Sequence, residues 1–158
     1  MEGRRPRLLI DTNVLITVPG AKSAGSLLSV AAIVHGHAQL VICEYVLREY
    51  LRTIGHPHWT HPLNNVTRVL TMITSGMTTG AVDFVDWYPS SAPVHVLMSS
   101  VPDPKDAPII LIGLQSKVDC IITYNVGHFP SSYLPAMTPN DWLNSHQSAL
   151  DEGNNGAS

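Results

Sequence analysis

Asp106-Ala107-Pro108-Ile109-Ile110-Leu111-Ile112-Gly113-Leu114-Gln115-Ser116-Lys117 reads as a helix, and the apolar run that follows, Cys120-Ile121-Ile122-Thr123-Tyr124, reads as a strand. Pro108 decides where the helix begins. A start at Asp103-Pro104 would put Pro108 where an intrahelical N–H is wanted, whereas a start at Asp106 puts it in the first turn, where the missing donor is harmless. Asp106 is therefore read as the helix cap and Asp103 as a flanking acid.

The same alternation runs back toward the amino end. Arg7 to Ile10 reads as a buried strand closed by the polar turn Asp11-Thr12-Asn13. Lys22 to Val34 is helix-compatible and stopped by Gly36, and Gln39 to Cys43 is a short strand. Glu44 to Thr53 carries Val46, Leu47, Tyr50, Leu51 and Ile54 at helical spacing, and Gly55-His56-Pro57 ends it. Leu63 to Ser75 repeats the helical pattern, and Ala81 to Trp87 and Val94 to Met98 are strand candidates. Toward the carboxyl end, Thr138 caps a helix with Pro139 first, reaching about Leu150. Strands alternating with helices imply an α/β fold with a mostly parallel central sheet. Residues 1–150 are read as one domain and 151–158 as a flexible tail, with no internal repeat or dividing linker.

Composition narrows the class. An apolar content of 44% with 13% charged residues excludes a disordered chain. No apolar stretch reaches the roughly 20 residues that span a bilayer, and Asp11 and Asn13 interrupt any secretory core after the basic start, so no membrane association is expected. Cys43 and Cys120 lie in strand-like runs and are read as buried free thiols of a cytoplasmic protein. Nine Lys/Arg against twelve Asp/Glu give a net charge of −3. A partner rich in phosphate would have to be met by local basic patches, and these are Arg4, Arg5 and Arg7 at the amino end and Arg48 and Arg52 in the middle.

Four polar positions stand at the edges of these elements: Asp11, Glu49, Asp106 and Asn125. In a parallel sheet the functional crevice lies beyond the carboxyl ends of the strands, where Asp11 and Asn125 both fall. Three carboxylates and an amide in one volume call for a hard divalent cation such as Mg²⁺ or Mn²⁺. Each acid also has a simpler reading. Asp11 and Asp106 could cap helices, and Glu49 could be a solvated helix residue. Asn13 could hold Asp11 by a hydrogen bond. The segment His56-Pro57-His58-Trp59-Thr60-His61 lacks a cysteine pair and known zinc spacing, and is read as a solvated loop.

Taken together, Leu9-Ile10-Asp11-Thr12-Asn13-Val14-Leu15, Val46-Leu47-Arg48-Glu49-Tyr50, Asp103-Pro104-Lys105-Asp106-Ala107-Pro108-Ile109-Ile110 and Ile122-Thr123-Tyr124-Asn125-Val126-Gly127-His128-Phe129 resemble the PIN-domain family, in its toxin-type branch. The resemblance implies a three-layer α/β/α sandwich. It implies an endoribonuclease that hydrolyses single-stranded or structured RNA with Mg²⁺ or Mn²⁺, the toxin of a toxin–antitoxin pair, and it makes a homodimer and an antitoxin protein expected partners. Carried over by position, Asp11, Glu49 and Asp106 are the catalytic metal ligands, with Asn125 and Asp103 as further ligands. Asn13 and Thr123 are supporting residues, and Arg48 and Arg52 are candidates for substrate contact. The fourth acidic position is Asn125 here, and His128 stands where another acid often occurs. These departures leave a second reading, a weakened nucleic-acid-binding module of the same fold without cleavage.

Overall fold

The structure, a computed structural model, describes residues 4–20, 22–59, 63–86 and 99–146. Its elements follow in the order β1 (Arg7–Ile10), α1 (Thr12–Leu15), α2 (Ala24–Ile33), β2 (Gln39–Cys43), α3 (Glu44–Ile54), α4 (Leu63–Thr79) and β3 (Val82–Val85). A 3-10 turn at Pro104–Asp106 then leads into α5 (Ala107–Gln115), β4 (Cys120–Ile122), a second 3-10 turn at Val126–His128, β5 (Ala136–Met137) and α6 (Pro139–Ser145).

Five strands form one sheet in the order β3-β2-β1-β4-β5, and every pairing is parallel. Leu8, Leu9 and Ile10 of β1 are buried on both faces, as are Leu40 to Cys43 of β2 and Ile121 and Ile122 of β4. This is the signature of a sheet covered by helices on both sides. α2 packs on β2 and touches α4 and α6, while α3 touches α1 and α5, and the whole is a three-layer α/β/α sandwich. Each fully buried Leu or Ile contributes roughly 1.5–3 kcal/mol through its removal from water. The uninterrupted apolar runs of β1, β2 and β4 therefore hold the centre of the molecule.

Several boundaries differ from the expectation. The helix read as ending at Ser75 continues to Thr79. Gly76 explains the extra turn: a Cβ there would lie 2.2 Å from Val82 Cγ2, so only glycine lets α4 rest directly on β3. The turn ends at Gly80, whose φ of +73° is closed to most other residues. The short strand β5 had no sequence signal. It exists because Ile121 and Thr123 donate their N–H groups to the carbonyls of Pro135 and Met137, at 2.9 and 3.0 Å. α6 starts as read, with the Thr138 hydroxyl accepting from Asp141 N, and reaches Ser145. The strand candidate at Val94–Met98, the region beyond His146 and the tail lie outside the described residues. Among the described residues no helix is long and apolar enough to cross a membrane. Both cysteines are free and buried.

Candidate metal centre

The strand order sets the location. The chain leaves β1 toward β2 on one side, while β4 occupies the other side, so the order reverses between β1 and β4. Such a switch point opens a crevice at the carboxyl ends of the strands. Asp11 follows β1 there, and Thr123 and Asn125 follow β4. Ile10 pairs with Ile122, so the next residues on each strand, Asp11 and Thr123, stand side by side.

Their contact anchors the site. Thr123 is wholly buried and Asp11 is 6% exposed. The Thr123 hydroxyl donates to Asp11 Oδ2 at 2.7 Å and accepts from Asn13 Nδ2 at 3.2 Å and from Asn125 N at 3.0 Å. One proton and two lone pairs are thus all used, which fixes the hydroxyl and with it the carboxylate. Asp11 Oδ1 accepts from Thr12 N at 2.7 Å. Asp11 does stand at the head of α1, as the capping reading has it, but only one of its oxygens is spent there. The Asn13 side chain makes no hydrogen bond to Asp11. It bonds to Thr123 and, through Oδ1, to Tyr124 N at 3.2 Å, so it acts one step further out than the sequence suggested.

Glu49 reaches the same place from the middle of α3. Thr12 Oγ1 donates to Glu49 Oε2 at 2.6 Å, tying α3 to the turn after β1. Thr12 was read only as part of the polar turn after β1; its adjacency to Asp11 was the available signal, but its partner lies 37 positions away.

At the third segment α5 begins where the reading puts it, with Asp106 in the N-cap position. A 3-10 turn precedes it, opened by Pro104 and capped by Asp103, whose Oδ1 accepts from Lys105 N at 3.0 Å. The 3-10 turn resolves the proline conflict, because Pro108 then falls in the first turn of α5, which starts at Ala107. Asp106 makes no side-chain capping bond. Its Oδ2 instead lies 2.9 Å from His128 Nδ1. His128 rides on the second 3-10 turn, whose following residue, Phe129, is anchored in the core.

Asp11, Thr12, Asn13, Glu49, Asp103, Lys105, Asp106, Asn125 and His128 line one cleft of about 300 Å³, together with Ile16 and Thr53. Arg48 and Arg52 are not among its lining residues: both are exposed on α3, and Arg48 pairs with Glu44 one turn back. Lys105, not singled out from sequence, is the cation in the cleft lining. Asn125 is exposed at the cleft.

The electrostatics show carboxylates kept together at a cost. Burial pushes the Asp11 carboxyl up to about 6; hydrogen bonds from Thr123 and Thr12 offset part of this, and the charges of Asp106 and Glu49 add to it. Asp106 is also raised, first by burial and then by Asp103 and Glu49, against the lowering effect of His128. Among the described residues, none of Asp11, Glu49 and Asp106 forms an ion pair with a lysine or arginine. Asp103, Asp106 and His128 form the tightest group, with one potential ligand atom from each lying within 4.8 Å of the others.

A family model described as PIN domain matches residues 7–127, from the first strand to the turn after β4. The chain belongs to the PIN domain family. This match contains Asp11, Glu49, Asp103, Asp106 and Asn125, and stops one residue before His128. The PIN fold is nuclease-type, and its members generally work with a divalent metal. The crystal structure of PAE2754 from Pyrobaculum aerophilum is similar in fold, with a TM-score of 0.57 over 90% of this chain and 96% of that one, at 13% identity. No curated protein matches the sequence.

Proposed function

We propose that this PIN domain is a metal-dependent endoribonuclease acting as the toxin of a toxin–antitoxin pair in the cytoplasm. The observation that carries this reading is the convergence of Asp11, Glu49 and Asp106 on one cleft at the switch point of the sheet, with no lysine or arginine among the described residues ion-paired to any of them. Buried, mutually repelling carboxylates are costly unless a cation joins them. The donor set, carboxylate oxygens with one amide and one imidazole, fits Mg²⁺ or Mn²⁺.

Asp11, Glu49 and Asp106 would hold the ion, with Asn125 and Asp103 at its margin. When bound, such an ion supplies Lewis-acid activation of water and offsets charge on the phosphate. The protein's own part is positioning. Thr123 and the Thr12 N–H hold both oxygens of Asp11, and the Thr12 hydroxyl holds one oxygen of Glu49, so both carboxylates are fixed in the cleft lining. Lys105 is the cleft residue whose charge suits a phosphate. The polarised placement of acids also explains how a chain of net charge −3 could take RNA: the ion, rather than a basic face, reverses the sign at the point of contact. A mostly apolar groove of about 410 Å³ between α2 and α4, lined by Val18, Val30, Ile33, Val34 and Met72 among others, supports a protein partner such as an antitoxin or a second copy.

The test is incubation of the purified protein with labelled single-stranded RNA in Mg²⁺, Mn²⁺ and EDTA, beside Asp11→Asn. Cleavage that needs metal and falls by about 100-fold or more in the variant is the expected result. A folded protein that binds RNA but cuts none of a broad panel would replace this reading with that of a binding module. Growth arrest on induction, relieved by Asp11→Asn, tests the toxin assignment separately.

A further inference from the structure

The ligand set carried over from the family resemblance and the tightest cluster in the structure share Asp103 and Asp106. The difference lies in His128, the one nitrogen donor among the oxygens. Its ring is held from two sides: Nδ1 lies 2.9 Å from Asp106 Oδ2, and the backbone beneath it is set by His128 N donating to the Asn125 carbonyl at 2.9 Å and by buried Phe129. The Nδ1–Oδ2 contact is a hydrogen bond that an ion would replace, and one potential ligand atom from each of Asp103, Asp106 and His128 lies within 4.8 Å of the others, so the three can meet on one ion.

We propose that His128 acts as a nitrogen ligand beside Asp103 and Asp106, so that this end of the cleft takes a first-row transition ion in preference to Mg²⁺. The inference rests on the metal-binding reading above and adds the identity of the ion. Mg²⁺ is bound through oxygen and keeps much of its water, so an imidazole offers it little. Imidazole suits Co²⁺ and Zn²⁺, and a mixed site of one imidazole and two carboxylates discriminates where three carboxylates discriminate less. Asp103 spends Oδ1 on the Lys105 N–H, leaving Oδ2 for the ion, and Asp106 has no capping bond to compete with it.

The experiment titrates the whole protein with Co²⁺ and with Mg²⁺ by calorimetry, for the wild type and His128→Gln. The ratio of the two affinities is the readout, because an all-oxygen site also ranks the ions. The expected result is a ~10–100-fold loss of Co²⁺ affinity in the variant with Mg²⁺ affinity nearly unchanged. A second measurement needs no variant: the ¹⁵N resonances of the assigned His128 ring, followed with Zn²⁺ and with Mg²⁺. A shift with Zn²⁺ alone supports the proposal. If both ions bind, yet the ratio stays constant and the His128 ring does not respond, His128 is no ligand and the metal-binding reading survives without it. Zn²⁺ responses confined to other histidines overturn the proposal in the same way. If no ion binds the folded wild type, the metal-binding reading fails and this inference falls with it.

Discussion

The two ends of the central sheet treat charge in opposite ways. At the amino ends of the strands, Arg7 is ringed by acceptors: Asp83 Oδ2 at 2.7 Å, the Ser116 carbonyl at 3.2 Å and the Gln39 side-chain amide oxygen. Arg4 meets Asp119 beside it at 2.6 Å, and Asp119 also accepts the Arg7 N–H at 2.7 Å. At the carboxyl ends, some four residues along β1, Asp11, Glu49 and Asp106 share a cleft and, among the described residues, none of them has an arginine or lysine ion pair. One end is paired as folded, and the other leaves its acids without a basic ion-pair partner among those residues. The comparison also shows why the basic amino end read from sequence cannot serve a substrate at the cleft: Arg4 and Arg7 are engaged at the far end of the sheet.

Three measurements sharpen this contrast. The largest effect on stability should come from Asp11. Its folded pKa of about 6 lies above the ordinary 3.8, so the folded protein binds the proton more tightly than the unfolded chain. Its contribution is therefore fully present below about pH 4 and is lost as pH rises through about 6, a span of about 2–3 kcal/mol. Asp106, raised in the same direction, steepens the slope. In EDTA, urea unfolding of the wild type from pH 4 to 8 should show stability declining with pH. Asp11→Asn should flatten that decline and be the more stable protein at pH 7.5, the opposite of what a structural acid would give. Added divalent metal should restore the wild type and stabilise the variant less.

Arg7→Met probes the opposite end. It leaves Asp83 and Gln39 without their partner, and about 1–2 kcal/mol should be lost, reduced from a fully buried pair because Asp83 is partly open to solvent. The loss should be the same with and without metal, measured by the same unfolding curves; a metal-dependent loss would mean that the two ends are coupled. Arg4→Ala should matter least. Its pair with Asp119 is exposed on both sides, and a change within about 0.5 kcal/mol is expected from thermal unfolding.

How much could be read without the fold varies with the distance over which each feature is decided. Val46, Tyr50 and their neighbours announce α3 because helical periodicity is a local property, and the buried runs of β1, β2 and β4 announce a parallel sheet for the same reason. The start of α5 was legible, with Asp106 in the N-cap position and Pro108 in the first turn; what was not legible is the 3-10 turn before it, capped by Asp103, which accommodates Pro104. Asp106 makes no side-chain capping bond, and its carboxylate goes to His128 instead. β5 was invisible because two residues after a proline carry no pattern of their own; their strand is conferred by β4. Of the site, the acids Asp11, Glu49 and Asp106 singled out in the sequence line one cleft, while Thr12 and His128 were not given their contacts, since neither partner is near in sequence.

The sequence by itself determined where each element begins to be apolar, and hence a parallel α/β sheet with acids placed at the ends of its strands. These follow from burial and periodicity acting over a few residues. Only the tertiary structure decided which acids are held and by what. The register of β1 against β4 brings Thr123 to Asp11 across 112 positions, and the packing of α3 against α1 brings Glu49 to Thr12. Such contacts depend on strand order and helix placement, which the whole core sets at once.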